Sequence, residues 1–153
     1  MKAGWAAAAA LLLSVPILAW PARWSADQRA TSTRYVIGEP HGRGSRVVIS
    51  CRTGAEPEIL VSLDGTSAPP DSDIGFRAAN RTIVMRSDDR GFIETRSEAN
   101  RSAYASLLAS LKAGGSLEIG YTNGASADLP LGEASFLAAG PCAAANSGPS
   151  VAT

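Results

Sequence analysis

Carboxylates are the side chains of this chain best suited to acid–base chemistry. Glu94 and Glu98 stand four residues apart, and Asp88 and Asp89 are adjacent. Two carboxyl groups facing one cleft are the minimum equipment of a small hydrolase, one giving a proton while the other acts as base or nucleophile. The surrounding sequence offers nothing that would set one partner apart as the acid. Other chemistry is sparse. His41 is the single histidine and lies in the loop Gly38-Glu39-Pro40-His41-Gly42-Arg43-Gly44. No nucleophile neighbours it, which is the setting of a solvated loop residue rather than a general base. Gly42-Arg43-Gly44-Ser45 lacks the Lys and the following helix that a phosphate loop needs. Asp71, Asp73, Asp88 and Asp89 are the hard oxygen donors that calcium takes, but their spacing fits no EF-hand loop, and acidic residues are ordinary turn formers. No cofactor or metal is expected.

Arginines are the second group with a chemical use. Arg77, Arg81, Arg86, Arg90, Arg96 and Arg101 crowd the middle of the chain, interleaved with Asp88, Asp89, Glu94 and Glu98. If Phe76 and Met85 point inward, side-chain alternation along a strand turns Arg77 and Arg86 outward, with Arg81 and Arg90 at the loops beside them. Arg77, Arg86, Arg81 and Arg90 are therefore the candidate binding face. Guanidinium groups on a rigid strand suit bidentate recognition of carboxylates, on a protein partner or on peptidoglycan stem peptides. The competing outcome, which the interleaving favours, is neutralisation by Glu94, Asp88 and Asp89 into exposed pairs worth little.

The elements that must position these groups are mostly short strands. Arg34 to Ile37 reads as a strand. Ser45 to Cys51 alternates, with Val47, Ile49 and Cys51 on one face and Arg46 and Ser50 on the other. Glu58 to Leu63 repeats the pattern through Ile59, Val61 and Leu63. Asp64-Gly65 opens a polar loop that runs to Asp73. Ile74 and Phe76 alternate with Gly75 and Arg77. Thr82 to Arg86 and Phe92 to Thr95 flank Ser87-Asp88-Asp89-Arg90-Gly91, which suits a hairpin loop. The period then changes: Tyr104, Leu107, Leu108 and Leu111 make one stripe of a helix about ten residues long. Asn100 or Ser102 would cap it, Lys112 suits its last turn, and Gly114 suits the C′ position. Leu117, Ile119 and Tyr121 precede Asn123-Gly124, the signal of a type I′ turn. Ala127, Leu129 and Leu131 return, with Pro130 marking an edge. Ser135 to Ala139 reads as one helical turn. The fold class is mainly β: an antiparallel β-sandwich or partly closed barrel of about eight short strands with one amphipathic helix.

The whole chain is 153 residues with 14 basic and 14 acidic side chains. No excess positive charge supports binding to nucleic acid or to an anionic membrane. Residues 1–22 read as a signal peptide: Lys2, the apolar run Ala6 to Leu13, Pro16, and a small-residue exit at Ala19 or Ala22. Trp20 is the preferred mature start, and an uncleaved anchor is the alternative reading. Residues 23–142 form the β domain and 143–153 a disordered tail. Cleavage leaves no stable membrane insertion, and the compartment is periplasmic or secreted. Such a compartment oxidises thiols. Cys51 and Cys142 are the only cysteines, too far apart for a CxxC motif, and are expected to form a bridge closing about 90 residues.

Trp24, the strand Val47-Val48-Ile49-Ser50-Cys51, Gly75-Phe76-Arg77 and the turn Ser87-Asp88-Asp89 occur in a characteristic order. The helix Tyr104-Ala105-Ser106-Leu107-Leu108 and the closing Leu129-Pro130-Leu131-Gly132-Glu133-Ala134 before Cys142 complete it. This layout resembles the VasI-like type VI secretion-associated proteins over roughly Trp24 to Cys142. It is similar, more loosely, to the invasion-associated locus B proteins, small secreted β proteins with paired cysteines. The resemblance implies a periplasmic accessory role without catalysis, with no catalytic residues to carry over. The expectation is a non-enzymatic accessory or binding protein with a protein partner in the cell envelope, associated with a secretion system or envelope assembly. The alternative is a small envelope hydrolase using a carboxylate pair.

Overall fold

Alternating stretches become strands because alternation gives each one a single face to bury. The computed structural model describes residues 24–39, 43–132 and 142. It contains β1 (Ser25–Arg29), β2 (Ser32–Gly38), β3 (Arg46–Arg52), β4 (Glu58–Leu63), β5 (Thr66–Ser67), β6 (Asp73–Ala78), β7 (Arg81–Arg86), β8 (Phe92–Glu94), α1 (Glu98–Lys112), β9 (Gly115–Tyr121) and β10 (Ser126–Leu131). All pairings are antiparallel. The first sheet runs β1-β2-β3-β4, and the far edge of β4 is shared: Glu58 to Leu60 pair with β8, while Ser62 and Leu63 pair with β5. The second sheet runs β10-β9-β6-β7. Neither closes into a barrel, and the result is a β-sandwich-like fold with one helix.

The inward faces are those that alternation assigns. Ile37, Val47, Ile49, Cys51, Ile59, Val61, Leu63 and Ile93 come from the first sheet; Ile74, Phe76, Ile83, Met85, Leu117, Ile119, Leu129 and Leu131 come from the second. The helix packs against β7 and β6. It adds Tyr104, Leu107 and Leu111 to the core, while Leu108 is half-buried beside them and Lys112 is exposed. The hydroxyl of Tyr104 is buried with no hydrogen-bond partner among the described residues. Burial, reinforced by Tyr35, holds that phenol well above its usual range. Tyr121 crosses from the second sheet to the first. Its hydroxyl lies 3.1 Å from the Val61 carbonyl and 3.2 Å from the Thr66 carbonyl. Burial pushes its pKa up to about 12, against the opposing pull of the Leu63 backbone.

Several local expectations are corrected. Thr82–Arg86 and Phe92–Thr95 do not form a hairpin: β7 pairs with β6, whereas β8 pairs with β4 in the other sheet. Ser87 diverts the chain. Its buried hydroxyl lies 2.7 Å from the Pro69 carbonyl and accepts the Ser72 N–H at 3.0 Å, tying the crossing to residues 69–72. The helix is 15 residues long and is capped by Ser97, whose hydroxyl accepts the Asn100 N–H at 3.2 Å. Asn100 instead caps a strand edge. Its side chain accepts from Arg86 N at 3.1 Å and donates to the carbonyls of Arg86 at 3.0 Å and Glu94 at 2.9 Å. The Asn123-Gly124 turn has a left-handed backbone at Gly124 only (φ +89°), and Tyr121 N–H donates to Ala125 O around a three-residue loop rather than a type I′ pair. Asp64-Gly65, both left-handed, turns directly into β5. The all-exposed strand β1 has no apolar alternation that would have marked it. Gly114 takes the left-handed C′ position (φ +75°) and Pro130 sits on edge strand β10, both as expected.

Cys51 and Cys142 are bonded, with Cα atoms 5.1 Å apart across 91 positions of sequence. The leader, the cleavage site, His41, the expected turn at Ser135 to Ala139 and the tail 143–153 lie outside the described residues. Among the described residues, no helix is long and apolar enough to cross a membrane.

Two stability outcomes follow. Leu107, fully buried, should cost about 2–5 kcal/mol on truncation to Ala. Half-buried Leu108 should cost less, as read from urea unfolding midpoints. Cys51→Ser should cost about 2–5 kcal/mol by opening the long loop, and unreduced, denatured wild-type protein should show no free thiol.

Candidate functional site

The four arginines expected to share a face are divided between the two sheets. Arg77 and Arg86 do point outward from the second sheet, because their neighbours Phe76 and Met85 are buried. Each is paired with the residue opposite it in the register. Arg77 meets Glu118 on β9 at 3.0 Å, and Arg86 meets Asp73 on β6 at 3.4 Å. Both partners in each pair are exposed, and the pairs stabilise little. Arg81 is exposed beside the β6–β7 turn. Arg90 reaches the first sheet instead.

Arg90 organises the acidic end of that sheet. One Nη2 atom lies 2.9 Å from Asp88, 3.2 Å from Glu94 on β8 and 3.3 Å from Glu58 on β4. Its guanidinium also sits 5.2 Å from the centroid of the Phe92 ring. Two of the carboxylates considered for acid–base work, Asp88 and Glu94, are thereby engaged in binding arginine. Glu94 is held by Arg90 and separated in role from Glu98, which lies in the first turn of α1. Asp88 has both oxygens occupied: Oδ1 accepts from the backbone N–H groups of Arg90 and Phe92 at 2.9 and 2.8 Å, and Oδ2 accepts from Arg90 Nε and Nη2 at 3.0 and 2.9 Å. Burial opposes ionisation of Asp88, but the bonds from Phe92 and Arg90 outweigh it and hold the carboxyl below its ordinary value. Asp89 is exposed, Asp71 stands in a left-handed turn, and Asp73 serves Arg86. Among the described residues, no three metal-ligating side chains gather at one point.

Gly91 lets the Asp88 loop close. It is left-handed (φ +80°), and a Cβ there would collide with the Ala68 carbonyl.

The outer face of the first sheet carries more than Arg90. Register places its outward residues in rows across the strands. One row is Asp27, Arg34, Ser50, Glu58 and Glu94; the next is Ser25, Val36, Val48, Leu60 and Phe92. Arg46 and Ser62 begin the row beyond. An apolar stripe thus runs between two polar rows. At the β4–β8 end, a cleft of about 170 Å³ is lined by Arg52, Arg90, Arg96, Glu56, Glu58 and Glu94, so three cations meet three anions. Arg52 reaches Glu58 at 3.8 Å, and Arg101 reaches Glu56 at 3.7 Å. At the β1–β3 end, a hollow of about 550 Å³ is lined chiefly by Asp27, Arg29, Arg34, Arg46, Val36 and Val48. There three cations meet one anion, and that anion, Asp27, is paired with Arg29 at 3.3 Å. Alternation alone puts Arg46 on an outer face. What the sequence lacked was the register that brings Arg34, Arg46 and the two valines together.

A family model described as YfjT matches residues 22–136. The chain belongs to that family. Comparison with curated proteins and with solved structures gave no match.

The Asp88 geometry gives a pH-dependent outcome. Its folded pKa lies below the ordinary value of 3.8, so its contribution is complete above that value and is lost as pH falls through the folded pKa. Asp88→Asn should lower the unfolding midpoint at pH 7, and the gap to wild type should narrow in acid below pH 3.8. Parallel thermal melts across that range check it.

Proposed function

We propose that this YfjT-family chain is a non-enzymatic accessory protein, exported to the periplasm or beyond, that binds a partner in the cell envelope through the outer face of its first sheet. Association with a secretion system or with envelope assembly is the setting the sequence resemblance suggests. The observation that carries the reading is the use of charge on that face. Asp88 and Glu94, two of the four carboxylates considered for catalysis, converge with Glu58 on Arg90. The side chains of Arg34 and Arg46 over Val36 and Val48 enter no ion pair among the described residues. Charges committed to one another hold a surface in shape; charges left over an apolar floor are available for recognition. The sheet that presents them is tied to residue 142 through Cys51 on β3. The leader supports export, and the bonded cysteines support an oxidising compartment.

The test compares capture of envelope proteins and of muropeptides by immobilised wild type, Arg34→Ala/Arg46→Ala and Arg77→Ala/Arg86→Ala. Capture should fall by about tenfold or more in the first variant, as expected for loss of charge-assisted bonds, and persist in the second. Undiminished capture by a folded Arg34→Ala/Arg46→Ala protein would remove the first sheet from the account. Loss in the Arg77→Ala/Arg86→Ala protein would move the site to the other sheet.

A further inference from the structure

The hollow between β1, β2 and β3 has a layout that selects among ligands. Val36 and Val48 face each other across β2 and β3 and form its floor, with Val48 only 3% exposed. Arg34 lies two residues from Val36 on β2, to one side. Arg46 lies two residues from Val48 on β3, to the opposite side, in the row of Gly38. Four residues along a strand advance about 13 Å, so the two guanidinium stems rise from opposite ends of the apolar floor. Among the described residues, neither side chain enters an ion pair or hydrogen bond. Arg29, the third cation of the hollow, is already joined to Asp27.

A planar guanidinium fork matches a carboxylate better than a point anion, because two parallel N–H groups meet two oxygens. A lone small anion would engage one fork and leave the valines uncovered. A wholly apolar ligand would cover the valines and leave both forks unsatisfied. An extended polyanion would run on into Glu58 and Glu94 in the next columns of the same face. We infer that the hollow binds an aliphatic dicarboxylate: a short apolar body on Val36 and Val48, with one carboxylate at Arg34 and the other at Arg46. A free α,ω-diacid has this chemistry. So does a short peptide whose acidic side chain and C-terminal carboxylate supply the two charges. The assignment rests on the first sheet's outer face being the binding face, and it names what that face takes.

The experiment is a titration of isotope-labelled full-length protein followed by amide and arginine side-chain resonances. The probes are suberate, its dimethyl ester, and the peptide Ac-Glu-Ala-Ala as free acid and as C-terminal amide. Suberate, the free-acid peptide or both should give saturable shifts at Val36, Val48, Arg34 and Arg46, and which of them binds identifies the source. The ester and the amide should bind at least about tenfold more weakly. Arg34→Ala and Arg46→Ala should each weaken the diacid by a similar factor, as expected for one charge-assisted contact. Added salt should weaken binding further. The inference is overturned if ester and diacid bind equally, if either folded variant binds suberate or the peptide as wild type does, or if neither diacid nor peptide shifts these residues. Should both probes fail while the arginine pair still governs capture of the envelope partner, the ligand class is wrong and the face stands. Should capture also be indifferent to the pair, both fail.

Discussion

The far edge of β4 is the constraint on which the rest of the structure depends. Ile59, Val61 and Leu63 are buried, so the backbone between them is withdrawn from water and its N–H and C=O groups must find partners inside the protein. No single strand supplies them. β8 pairs with the first half, β5 with the second, and the Val61 carbonyl at the junction receives both Ala68 N–H at 3.2 Å and the Tyr121 hydroxyl at 3.1 Å. To reach β4, the chain must leave the second sheet after β7, and that crossing requires the Ser87 and Asp88 contacts. Tyr121 ties the two sheets at the same place. The helix follows from the same constraint, because Asn100 at its start bonds both the exposed edge of β7 and the end of β8.

The two outer faces illustrate two uses of the same residue types. On the second sheet, Arg77 and Arg86 meet carboxylates directly opposite in the register, and the row between them is Val84, Gly75, Gly120 and Ser126. On the first, acids crowd one end and unpaired arginines the other. Net charge near zero hides this division: a chain can be balanced overall while a single hollow carries three cations against one anion. Overall composition is silent about such a local imbalance.

Most inward-facing side chains could be read from the sequence, because burial of one strand face imposes the alternation seen at residues 47, 49 and 51 or 59, 61 and 63. What could not be read has identifiable causes. β1 is exposed at every position, so nothing in Ser-Ala-Asp-Gln-Arg distinguishes it from a loop. β8 reads as a strand, but its partner does not follow from the sequence, since a short loop between two strands is also what a crossing between sheets looks like. Asn100 has capping chemistry, and that chemistry is used on a strand edge instead of a helix end. The site suffered most, because cross-strand neighbours depend on register. Arg34 and Arg46 are 12 apart in sequence and bracket one floor only after β2 and β3 have paired Val36 with Val48.

The bond between Cys51 and Cys142 also bears on how the protein is made. Every strand and the helix among the described residues lie before Cys142 in the order of synthesis. In a chain made from its N-terminus, Cys142 therefore becomes available only after all of these elements, and the bond cannot close on a partly made domain. With two cysteines, only one intramolecular pairing exists, so there is no wrong isomer to reshuffle. The errors open to such a chain are a dimer bridged between two molecules or a thiol capped by a small oxidant before the partner arrives. Closure of this bond therefore marks chains in which every described strand and the helix have already been made.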